Sequence, residues 1–291
     1  MSPFAERLMD QLYEASNLRL TAIVELARVP LEARQRLMER FAHDAFPLLH
    51  QPCFANLRDI GPWLFCSGDY LSLDGQYDFH CTLSEIAGDV PSAWLISAME
   101  PSRLANHLGQ GTIVRGPQGD TCLLRFYSEQ AFPVLHARHD LIGISELLSP
   151  IKSWWSMVPH ADKLVWCHYA CHNQPNRFGV PPIRLDQACW DALNGDPLTY
   201  RLAEQLQASL MTLSSDSKHG TRLAHVRKLL GEARTHGLSR PEDLGEYVIL
   251  LTRHGQDLRD APLWQAVLAD VRDNGHPLAQ TLTKHLSLHS K

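Results

Sequence analysis

The densest set of side chains able to do chemistry is Cys167-His-Tyr-Ala-Cys-His172, with His160 a few residues before it. Thiolates and imidazoles are the usual ligands of zinc, and a closed tetrahedral site takes about four of them converging from two short segments. The spacing works against convergence. On a strand Cys167 and Cys171 face one way and His168 and His172 the other, and a helix pairs each set at i and i+4 in the same manner. No second Cys or His pair of matching quality appears, and the c-type haem pattern is missed because three residues separate the cysteines. These side chains therefore read as buried thiols with partly exposed imidazoles. A metal-dependent hydrolase built on Cys167, His168, Cys171 and His172 is the rival reading. No metal or cofactor is assigned.

Other catalytic signatures are missing. There is no Gly-x4-Gly-Lys-Ser/Thr loop, no His-Glu-x-x-His and no Gly-x-Ser-x-Gly elbow. Gly109-Gln-Gly111 begins a dinucleotide fingerprint without its third glycine, and it follows a helical pattern, so it reads as a helix stop with Gly109 as left-handed cap. Ser149-Pro-Ile-Lys152 fits Ser-x-x-Lys without the companion motifs. Of 16 histidines, those at 219, 225, 236, 254, 276, 285 and 289 sit near helix ends or among charges, where solvation or dipole pairing is the usual role. The helix from Thr221 to His236 puts Arg222, His225 and Lys228 outside its apolar stripe. That face is either solvated or a site for an acidic protein partner. The expectation is a protein without catalytic activity.

The elements that must carry these residues fall into two lobes. The 291 residues are 44% hydrophobic and 20% charged, the mix of a folded globular chain. The net charge of −5 argues against a nucleic-acid-coating protein. The N-terminal stretch does not read as a secretory leader, so none is expected, and no window reaches the ~18 consecutive apolar residues of a membrane span. Seven scattered cysteines read as reduced thiols in a cytosol. The fold expectation is α+β: a mixed α/β N-terminal lobe with a small, partly antiparallel sheet over residues 1–175, then an all-α lobe over 176–291. The join lies in His172-Asn-Gln-Pro-Asn-Arg-Phe-Gly-Val-Pro-Pro182, whose prolines and glycine break helices. Residues 1–183 hold 14 Lys+Arg against 19 Asp+Glu, and 184–291 hold 13 of each, so the acidic excess belongs to the first lobe.

In the first lobe Leu20–Leu26 reads as a strand, followed by a helix from Pro30 to His43 with Leu31, Leu37 and Phe41 on one side. Pro62–Cys66 and Ala93–Ser97 are further strands. Thr112–Arg115 and Thr121–Tyr127 flank Gly116-Pro-Gln-Gly-Asp120 as a hairpin, and Ser153–Met157 with Leu164–Tyr169 would extend that hairpin's sheet. In the second lobe four or five helices are expected. Leu198, Leu202, Leu206 and Leu210 mark one; Leu223, Val226, Leu229, Leu230 and Ala233 mark another. Pro241, Pro262 and Pro277 open the rest.

Ordered motifs carry a resemblance: Ile60-Gly-Pro-Trp-Leu64, Trp94-Leu-Ile-Ser97, then Leu104 and His107-Leu108, Thr121-Cys-Leu-Leu-Arg-Phe-Tyr127 and Leu148-Ser-Pro-Ile-Lys-Ser-Trp154. With the strand-helix unit from Leu20, about half the chain resembles the Tap/VasW-type adaptors, or effector chaperones, of the bacterial type VI secretion system. The resemblance departs at two places. Ser128-Glu129 stand where the family tends to carry Asp-Pro, and Glu25-Leu-Ala27 where it has Asp-Gly-Ala. It implies a cytoplasmic, non-enzymatic protein of a Gram-negative bacterium that binds a toxic effector and helps load it on the VgrG spike, with neither nucleic acid nor membrane insertion involved. A structural scaffold component is a third reading.

Among the signature residues, Gly61, Pro62, Trp63, Trp94, Phe126 and Trp154 read as structural. Arg125 is more informative. On a strand over 121–127, Leu123, Arg125 and Tyr127 share one face, and an arginine held there should pair with an acid or carbonyl if buried; His107 is a candidate neighbour. The candidate partner contacts are therefore Arg125, Tyr127 and His107 in the first lobe and Arg222, His225 and Lys228 in the second.

Overall fold

Leu20-Thr-Ala-Ile-Val-Glu-Leu26 is apolar almost without interruption, the pattern of a strand covered on both faces. In the computed structural model, which describes residues 2–69, 72–88, 90–160, 163–174, 179–206 and 219–289, it supplies β1 (Arg19–Glu25) at the inside of a six-stranded sheet. The order across that sheet is β2 (Ala45–Pro47), β3 (Pro62–Cys66), β1, β4 (Ala93–Ser97), β7 (Ile151–His160) and β8 (Lys163–Ala170). β1 pairs antiparallel with β3 and β4, as do β2 with β3 and β4 with β7. A second sheet places β5 (Ile113–Arg115) between β6 (Thr121–Leu123) and β9 (Ile183–Arg184), parallel to the latter.

Because successive strand residues point to opposite faces, the large sheet feeds two cores. Leu20, Ala22 and Val24 join Phe65, Trp94 and Ile96 beneath α1 (Pro3–Tyr13), α2 (Leu31–Arg40) and α3 (Leu73–Ala87). Ile23, Leu64, Leu95 and Trp154 enter the other core, with α4 (Pro101–Gln110), α5 (Ala131–Ala137), α6 (Ile144–Leu148) and the small sheet. Helix α1 starts where Ser2 Oγ accepts the Ala5 N–H at 3.1 Å and Pro3 supplies the first-turn proline.

The chain forms two compact units, Met1–Val158 with Val165–Leu193 and Pro159–Leu164 with Asn194–Lys291. The expected join between 175 and 176 falls inside the first. The reason is visible in named bonds. β9 pairs with β5, Arg138 holds Asp186 through two bonds of 2.9 and 2.7 Å, and Asp186 in turn accepts the Cys189 N–H at the start of α7 (Gln187–Asn194). Residues 175–178, in the middle of the expected join, lie outside the described residues.

The second unit carries α8 (Pro197–Gln205), α9 (His219–Thr235), α10 (Pro241–Asp260), α11 (Pro262–Asn274) and α12 (Leu278–His289). Leu202, Leu206, Leu223, Val226, Leu229, Leu230 and Ala233 are buried together with Tyr247 and Trp264. Leu210 lies outside the described residues. Gly275, at φ +67°, closes α11 in the left-handed region. Among the described residues no helix is long and apolar enough to cross a membrane.

Four local expectations are corrected. Leu31 is exposed, because α2 begins at it and its stripe runs through Ala33 and Leu37. Gly109 lies inside α4, which runs on to Gln110, so it is not a left-handed cap; its Cβ-less face instead admits Leu48 and His50. The second hairpin strand stops at Leu123, after which the chain turns, Ser128 N–H donating to the Arg125 carbonyl. Finally, β7 and β8 extend the six-stranded sheet, not the hairpin's sheet.

Candidate interaction site

The end of β1 and the turn after β6 meet around Arg125. Its guanidinium pairs with the Glu25 carboxylate, and Arg28 pairs with Glu129 at 3.3 Å, so two ion pairs join the same two stretches. These are the stretches at which the resemblance departs, brought side by side. Arg125 is paired with an acid although its side chain is not buried, so the pairing is not forced by desolvation. Glu25 escaped the sequence reading, although a carboxylate closing an apolar strand was the available signal. With the strand ending early, the expected alternation fails: Phe126 and Tyr127 are both buried, while the Arg125 side chain stays about half exposed. Tyr127 is therefore no surface contact. Burial pushes its hydroxyl up from the ordinary value, and the adjoining Glu25 carboxylate pushes the same way, so the phenol keeps its proton. Ser128 Oγ accepts the Ala131 N–H at 3.2 Å and steadies the entry to α5.

His107 is not a neighbour in this cluster. It is buried in α4, and its Nε2–H donates to the Leu147 carbonyl at 3.0 Å, tying α4 to α6. The signature residues are packing residues. Trp94, Phe126 and Trp154 are fully buried, and half-buried Trp63 donates from Nε1 to the Arg58 carbonyl at 2.7 Å. Gly61 is required sterically, since a Cβ there would meet the Leu57 carbonyl at 2.8 Å and Leu49 at 2.9 Å. Pro62, also buried, opens β3.

On α9 the expected face divides. Lys228 is exposed and Arg222 half-buried, but His225 turns toward α10, 3.0 Å from Thr252 Oγ1. Thr252 spends its hydroxyl proton on the Val248 carbonyl at 2.7 Å, so His225 Nε2–H is the donor to it. His225 is thus an interhelical contact, and it leaves the exposed set.

Burial lowers the pKa of His107, against the favourable carbonyls of Leu147 and Glu146; it also lowers those of His225, helped by Lys228 and Arg259, and of His80. A histidine held neutral in the fold leaves the unfolded chain to take up the proton first as pH falls below its ordinary value of about 6.5. Stability contributed by neutral burial is full above that pH and is lost downward until the folded-state value is passed. The melting temperature of the full chain is expected to fall between pH 7 and pH 5, and His107→Gln to reduce that slope. A variant slope equal to that of the parent chain would rule out a contribution from His107.

The Cys–His motif does not converge. His168 lies 3.1 Å from Ser153 Oγ and over the Trp155 ring, whereas Tyr169, on the opposite face of β8, packs on Phe132 and His136. Burial pushes the Cys171 thiol up to about 12, and exposed His172 faces His139 across 6.0 Å between ring centres. The His160 and His219 side chains lie outside the described residues. Among the described residues no three His, Cys, Asp or Glu side chains are grouped to hold a metal ion.

No curated protein and no solved structure matches the chain. The ion-paired cluster, the hairpin and both cores flanking β1 lie largely within one stretch, and it is that stretch, residues 22–145, that matches the family model described as Domain of unknown function (DUF4123).

Proposed function

We propose that this chain is a non-enzymatic adaptor of a type VI secretion system, a cytoplasmic protein that holds one toxic effector and helps load it on the VgrG spike. The observation carrying this reading is that the matched stretch, 22–145, coincides with most of the ordered motifs that resemble the Tap/VasW-type adaptors. Within that stretch the signature residues are spent on packing, which leaves the half-exposed Arg125 and the exposed faces to do the binding. Lys228 and Arg222 offer positive charge on the helical unit for an acidic partner surface.

The test is co-expression with the effector encoded beside it, followed by purification of the full chain. A complex that survives size-exclusion chromatography, and that passes its effector to VgrG, is the expected result. Failure to retain any neighbouring effector or VgrG would remove the reading, and a fixed homo-oligomer without cargo would favour a scaffold.

A further inference from the structure

The helical unit contains an open cavity of about 450 Å³, large enough for an amino-acid side chain with its neighbours. Its walls are of two kinds. Leu198, Pro241 and Leu244 give it an apolar side, and Arg201 from α8 and Arg234 from the end of α9 give it two guanidinium groups. Among the described residues its one acid is Asp196, whose two oxygens are already engaged. Oδ1 accepts the Leu198 N–H at 3.0 Å to cap α8, and Oδ2 pairs with Arg234 at 3.2 Å. Arg201 has no acidic partner among the described residues, so the described lining carries one positive charge in excess.

Arginine presents five N–H donors in a planar fork suited to carboxylates, and Asp196 uses only part of what Arg234 offers. Both guanidiniums are exposed, so neither has a large desolvation cost to recover on binding. We propose that this cavity is a docking pocket for an acidic side chain flanked by an apolar one, presented by a protein partner. Arg201 takes the carboxylate, Arg234 shares it, and Leu198 and Leu244 cover the apolar neighbour. The proposal rests on reading the chain as a holder of another protein and supplies the chemistry of the segment held.

The probe is the blocked tripeptide acetyl-Leu-Glu-Leu-amide, titrated into the full chain while the arginine side-chain nitrogen signals are followed by NMR. Saturable shifts of Arg201 and Arg234 are expected, with a Kd on the order of 1 mM. The glutamine analogue and glutarate should each bind at least tenfold more weakly, and Arg201→Gln should weaken the glutamate peptide by about the same factor. Arg201 has no ion pair to lose among the described residues, so this variant should melt with the parent chain; Arg234→Gln is the second variant should it not. Equal binding of the glutamine peptide, or no effect of either substitution, would overturn the proposal. Glutarate binding as tightly as the peptide would overturn it too, since the ligand would then be a free small acid. The probe contains no effector. Peptide binding with failed co-purification would therefore sink the adaptor reading and leave the pocket, whereas the reverse would remove the pocket alone.

Discussion

Replacing Trp154 by alanine should cost the first unit about 3–5 kcal/mol, lowering its folding equilibrium constant at least a hundredfold. The indole is fully buried on β7, lies parallel to the Phe132 ring at 4.0 Å between centres, and meets the Phe126 edge at 6.2 Å. One side chain thus joins the large sheet to α5 and to the turn bearing Arg125, so its removal leaves a cavity beneath the candidate contact. A second substitution separates packing from hydrogen bonding. Trp154 Nε1–H is buried and finds no acceptor among the described residues, so Trp154→Phe gives up no bond and relieves an unpaired donor. It is expected to cost about 1 kcal/mol or less. Urea unfolding of both variants checks the pair: an alanine variant within 1 kcal/mol of the parent, or a phenylalanine variant as damaged as alanine, contradicts the packing argument.

Gly109→Ala is expected to destabilise by about 1–3 kcal/mol, although alanine ordinarily stabilises a helix interior relative to glycine by about 1 kcal/mol. Sterics decide the sign. A Cβ at 109 would stand 2.6 Å from the Leu48 carbonyl oxygen and 2.4 Å from the His50 ring. The Leu48 backbone is held by its N–H to the Pro62 carbonyl at 3.0 Å, and Gln51 Nε2–H reaches the Gly109 carbonyl at 2.8 Å, so loop and helix are clamped together. A rise in melting temperature would show instead that the 48–51 loop yields and that helix propensity wins.

Periodicity over a few residues marks most of the elements but not their ends, as Leu31 and Gly109 show. The four-residue recurrence in α8, the stripe of α9, the proline starts of α10 and α11 and the apolar runs of β1, β3 and β4 all follow from side-chain periodicity. Alternation predicts a strand through Tyr127, whereas the chain has already turned at Arg125. Helix α3 escaped notice. Its core face rests on Phe79 and Leu83 among many polar residues, so the apolar stripe is thin and only the sheet beneath gives it purpose.

The candidate site divides in the same way. That Arg125 can pair with an acid is a matter of charge; that the acid is Glu25, 100 residues earlier, depends on the order of strands. His107 and His225 looked available by position on their helices, and each is consumed by an element distant in sequence, α6 and α10 respectively. The pocket between Arg201 and Arg234 has no sequence signature at all. Sequence by itself determined the fold class, the helical periodicity of the second unit and the poverty of catalytic motifs, because these are properties of composition and of spacing over one or two turns. Tertiary structure alone decided which sheet β7 and β8 join, how far the first unit extends and which charged groups remain unspent. Those outcomes depend on pairings between residues tens of positions apart, which local preferences do not specify.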